Sequence, residues 1–162
     1  MKNNELIDTA SSGGKYTGGT IRDATLVINN VNEHDAGSYQ CKASNALGTT
    51  LGDIIVLGIP EPQVQRPEKG GNGTLAFTAM TNSCPAVFLV QWSTKNKDND
   101  EYTPIDVNLE EYKGTSNSLP SPVLVIRTAQ SHDHAFKIEA QNFIGTGTKK
   151  IPGKVCVAKY VK

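Results

Sequence analysis

The chain has 162 residues, 37% hydrophobic and 20% charged, enough for one domain or two small ones with a modest core. Its 16 basic and 16 acidic side chains cancel, which argues against a nucleic-acid or anionic-membrane surface. No apolar run approaches the roughly 18 residues of a spanning helix, and no charged start precedes an apolar export core, so the export signal of a secreted parent is expected outside this sequence.

Apolar residues come in short alternating runs with no sustained helical period. Leu26, Ile28 and Val31 form the first run. Tyr39, Cys41 and Ala43 sit two apart and share one face of a strand. Ile54, Val56 and Gly58 follow, ahead of Pro60 and Pro62. Next come Leu75, Phe77 and Ala79, then Val87 to Trp92, then Leu124 and Ile126, and finally Phe136, Ile138 and Ala140. Turn clusters such as Gly70-Gly71-Asn72-Gly73 separate them, and this rhythm predicts an all-β antiparallel sandwich.

The chain also repeats itself. Ala43-Ser44-Asn45-Ala46-Leu47-Gly48-Thr49 recurs as Ala140-Gln141-Asn142-Phe143-Ile144-Gly145-Thr146, Tyr16 recurs as Tyr112, and Leu26 and Ile28 recur as Leu124 and Ile126. The offset of 96 to 98 residues matches one sandwich domain of about 100 residues.

Asp35-Ala36-Gly37-Ser38-Tyr39-Gln40-Cys41 fits D-x-G-x-Y-x-C, and an A-x-N-x-x-G hairpin follows at Ala43 to Gly48. With Leu26 to Val31 as the strand before them, these residues resemble the E, F and G strands of an intermediate-type immunoglobulin domain. The resemblance implies that Asp35 begins the E–F turn, Gly37 tolerates its tight backbone, and Tyr39 bonds back to that turn. It also implies that Cys41 points inward toward a B-strand cysteine.

No cysteine or tryptophan precedes this block. Residues 1–58 are therefore expected to be a partial domain with strands D to G, clipped from a longer chain or leaning on a neighbour. Residues 59–162 read as a complete domain without the inter-sheet disulfide. Phe77 and Ile138 stand where its cysteines would be, and Trp92 matches the core tryptophan. Losing a disulfide costs about 2–5 kcal/mol, which two buried apolar side chains at roughly 1.5–3 kcal/mol each offset. Phe136 lacks the hydroxyl of a tyrosine corner. A Cys84–Cys156 bridge stays open, although neither residue lies at a framework position, and three cysteines leave a thiol without an intrachain partner.

No catalytic, cofactor or metal site is expected. His132-Asp133-His134 places two histidines on opposite sides of an extended chain, with no further ligand at suitable spacing. Lys97-Asp98-Asn99-Asp100-Glu101 lacks the glycine and distal glutamate of a calcium loop. Asn72-Gly73-Thr74 is an N-glycosylation acceptor. The resemblance implies a non-catalytic extracellular or cell-surface recognition protein, whose protein partners include second copies or neighbouring immunoglobulin domains. The alternative is an intracellular structural repeat protein of the muscle giant-protein type.

Overall fold

The computed structural model describes residues 1–65, 68–69, 74–81, 83–95, 100–127 and 134–151. Asn72, Cys156, His132, Asp133, the Gly70-Gly71 turn and the stretch 97–99 lie outside these. The chain divides into two units, Met1–Ile59 with Phe143–Gly145, and Pro60–Asn142 with the residues from Thr146 onward.

The first unit holds two antiparallel pairs. Strands β1 (Tyr16–Gly18) and β2 (Leu26–Ile28) form one, and β3 (Gly37–Asn45) and β4 (Gly48–Leu57) form the other. The Leu26 run stops at Ile28 rather than Val31. Asn30 follows in a left-handed conformation (φ 49°), which asparagine tolerates better than most residues and which ends the extended run. Ala46 and Leu47 link β3 to β4, and Asn45 Oδ1 accepts from both Leu47 N and Gly48 N to close the turn. A register shift between Gln40 and Lys42 puts a bulge beside Cys41.

The second unit is a two-sheet sandwich. One sheet has the order β10 (Val123–Ile126), β7 (Leu75–Met80), β5 (Gln63–Val64), with β6 (Glu68–Lys69) also on β7. The other runs β12 (Thr146–Ile151), β11 (Ala135–Gln141), β8 (Leu89–Lys95), β9 (Thr103–Pro104). Alternation decides what each strand buries. Leu75, Phe77 and Ala79 face in from β7, and Phe136, Ile138 and Ala140 face in from β11. Strand β8 begins at Leu89, later than the Val87 start of its apolar run. Val87 still packs against the core, while Phe88 and Leu89 are half exposed.

Candidate functional site

The turn between β2 and β3 of the first unit is built around a buried carboxylate. Asn32 caps a short 3-10 turn, Glu33–Asp35, and Asp35 reaches back to the Asn32 backbone N–H at 2.8 Å, completing a capping box. Lys15 Nζ donates to Asp35 Oδ2 at 2.6 Å. Burial alone would raise the Asp35 pKa, but the hydrogen bonds from Lys15 and Asn32 and the Lys15 charge outweigh it and hold the carboxyl below its ordinary range. Tyr39 Oη donates to the Asp35 carbonyl at 2.8 Å, and this bond is buried. Burial, reinforced by the neighbouring Tyr16 hydroxyl and the Asp35 charge, pushes the Tyr39 hydroxyl pKa upward. Asp35 and Tyr39 thus share one knot. Lys15 and Asn32 complete it and were not singled out from the sequence, although Asn32 three residues before Asp35 is a recognisable capping signature.

Gly37 has φ of +148°, and a Cβ there would meet Asn3 Oδ1 at 2.7 Å. It needs to be glycine both for its backbone and for the side chain laid over it. Cys41 is exposed and unbridged. It lines a cavity of about 490 Å³ together with Leu6, Leu26, Ile28, Ile55 and Leu57. The resemblance implies a buried Cys41 facing a B-strand cysteine; the residue is instead exposed, at the edge of a cavity it shares with Leu26 and Ile28 of β2. On β4, Ile54, Ile55 and Val56 are 57–60% exposed, so both faces of this strand present apolar surface.

Phe77, Trp92 and Ile138 are brought together in the core of the second unit. Ile138 and Trp92 are direct cross-strand partners and fully buried, and Phe77 faces them from the other sheet. Trp92 Nε1 is buried without a hydrogen-bond partner among the described residues. Phe136 makes an edge-on contact with Tyr112, ring centroids 6.5 Å apart. Burial, with a contribution from the Glu111 charge, pushes the Tyr112 hydroxyl pKa up to about 12. Cys84 is exposed and unbridged. Asn142, which the repeat aligns with Asn45, instead donates from a buried position to Ser83 Oγ (3.3 Å) and the Pro85 carbonyl (3.0 Å). Sequence spacing gave no sign of that tie across 57 to 59 residues. Among the described residues no three His, Cys, Asp or Glu side chains converge to hold a metal, and no helix is long and apolar enough to cross a membrane.

Residues 1–57 match the family model for the immunoglobulin I-set domain. The chain is 30% identical over 102 residues to the basement membrane-specific heparan sulfate proteoglycan core protein of Mus musculus, covering 60% of this chain and 3% of that protein. It is 30% identical over 128 residues to the neuronal cell adhesion molecule of Mus musculus, covering 75% of this chain and 9% of the relative. The chain therefore spans less than a tenth of either relative. Among solved structures, an I-band fragment of titin aligns over 93% of this chain and 51% of its own, at 23% identity and a TM-score of 0.41.

Proposed function

Since the chain belongs to the immunoglobulin superfamily, with residues 1–57 matching its I-set domain, we propose that it is a non-catalytic recognition segment of an extracellular or cell-surface adhesion protein. On this reading residues 1–58 are a partial domain carrying strands D to G, and residues 59–162 are a whole domain that has exchanged its disulfide for an apolar contact layer. The observation that carries the reading is β4, where the consecutive residues Ile54, Ile55 and Val56 are each more than half exposed. A run of exposed apolar side chains of that kind suits a protein partner. The adhesion and matrix relatives support the same direction. The glycan acceptor Asn72 and the framework thiol Cys41 suit an oxidising exterior.

The test is adhesion under multivalent display. Beads coated with the full chain should adhere to cell surfaces above albumin-coated beads, and Ile54→Lys with Val56→Lys should return them to the albumin level. Beads indistinguishable from albumin on every cell surface tried would overturn the proposal. The second reading, an intracellular structural repeat, is favoured by the bridge-free Phe77–Trp92–Ile138 core, which keeps its packing in a reducing compartment.

A further inference from the structure

Two lysines of the second unit converge on one tyrosine. Alternation along β8 and β11 turns Trp92 and Ile138 inward and leaves Lys95 and Lys137 on the outer face of their sheet. The register pairs Lys95 with Ala135 and Ser93 with Lys137, so the two lysines are diagonal neighbours on that face. Strand β9 pairs Thr103 with Thr94, which sets Tyr102, one residue earlier, beside Lys95. Lys137 Nζ stands 5.0 Å and Lys95 Nζ 5.5 Å from the centroid of the Tyr102 ring, both within reach of its negative face. The two lysine side chains are only 17% and 29% exposed, so their positive charges are held close to the ring rather than free in solvent. Each also meets a carboxylate, Lys137 with Glu139 at 3.0 Å and Lys95 with Asp100 at 3.4 Å. Tyr102 itself is partly exposed, and among the described residues its hydroxyl has no hydrogen-bond partner and is not sealed from solvent.

The sequence adds an independent mark at the same residue. Asp98, Asp100 and Glu101 stand four, two and one positions before Tyr102. Carboxylates beside a phenol steer it toward a modifying enzyme with a basic cleft. Tyr112 also follows two acids, Glu110 and Glu111, but it is 4% exposed and offers no such approach. We propose that Tyr102 is the acceptor of a sulfate ester and that Lys95 and Lys137 hold the added anion. In the transfer Tyr102 Oη attacks the sulfur of a nucleotide phosphosulfate, and the ester O–S bond forms as the anhydride S–O bond breaks. The phenolic proton passes to a base on the transferase, and the nucleotide phosphate leaves. Sulfate suits the site better than phosphate. A phosphate monoester carries about −1.5 to −2 at neutral pH, whereas a sulfate monoester carries a single negative charge. Beside Asp100 and Glu101, with both lysines already sharing their charge with carboxylates, the smaller charge meets less repulsion.

The inference rests on the extracellular reading, because tyrosine sulfation acts on exported chains. Its test is made on the purified chain, so that the two fail separately: beads that do not adhere leave Tyr102 an acceptor, and a chain that takes no sulfate leaves the adhesion test untouched. The full chain is incubated with a tyrosine sulfotransferase and a labelled phosphosulfate donor, and the labelled peptide is sequenced. Label should sit on Tyr102 and not on Tyr112, and Tyr102→Phe, which keeps the ring between its lysines, should reduce incorporation to background. An unlabelled Tyr102, or a Tyr102→Phe chain labelled as well as the parent, overturns the proposal. So does a Tyr102 that a tyrosine kinase with ATP modifies while the sulfotransferase does not. The role of the lysines is read from the denaturation midpoint before and after sulfation, followed by Trp92 emission. The midpoint should hold or rise in the parent and fall in the variant carrying Lys95→Gln and Lys137→Gln. An equal response in both chains overturns the assignment of the lysines to the ester.

Discussion

Replacing Ile138 by alanine removes three buried carbons from the core of the second unit, at the position proposed to stand in for a disulfide cysteine. At about 0.8 kcal/mol per buried carbon the transfer loss is roughly 2.4 kcal/mol. A cavity term adds to it, because β11 is held by ladders to β12 on one side and β8 on the other and its backbone has no freedom to collapse into the gap. The expected cost is about 3–4 kcal/mol, within the range of roughly 2–5 kcal/mol for such truncations. For a unit of this size that lowers the melting temperature by roughly 15–25 °C. Trp92 is the only tryptophan in the chain and pairs directly with Ile138, so its fluorescence reports unfolding of this unit alone. Chemical denaturation followed by that emission gives the free energy. Ile138→Val serves as the graded control, at about 0.5–1.5 kcal/mol. A loss below about 1 kcal/mol for the alanine variant would place Ile138 among surface-like positions and refute the argument that apolar packing stands in for the disulfide.

Two further outcomes follow from the same physical reasoning. The Asp35 carboxyl is held below its ordinary range, so its contribution to the first unit is fully present above the unfolded-state pKa of about 3.9 and is lost as pH falls through the lower folded value. A carbon-detected NMR titration should place the Asp35 midpoint clearly under that of exposed aspartates; a midpoint level with theirs would mean that Lys15 and Asn32 do not engage it. Gly147 on β12 has the Pro60 carbonyl where a Cβ would stand, so Gly147→Ala forces backbone apart and should destabilise the second unit by at least about 1–3 kcal/mol. A denaturation midpoint unchanged from the parent would show that the contact gives way freely.

Much of the architecture is legible in the residues because alternation is a local record of burial. Phe77, Trp92 and Ile138 stand at inward positions of their runs, and the sandwich core assembles from them. The knot at Asp35 is half legible. The D-x-G-x-Y spacing names Asp35 and Tyr39, but Lys15 arrives from 20 residues away, and ion pairs across such a gap leave no periodic trace. The environment of Cys41 follows from what packs over it rather than from its own strand, so the spacing that names the residue does not set its exposure. The pairing of Met1 and Asn3 with Gln40 and Ser38 of β3 is hidden for another reason. Its hold on β3 comes mostly from backbone groups and one asparagine side chain, and backbone pairing of so few residues has no hydrophobic pattern.

Chain order gives the two units different folding tasks. The β3–β4 hairpin closes through a two-residue link and therefore forms on local contacts alone, whereas β11 must find β8 across an intervening stretch of some 40 residues. A growing chain thus closes the β3–β4 hairpin while the second sandwich is still being made.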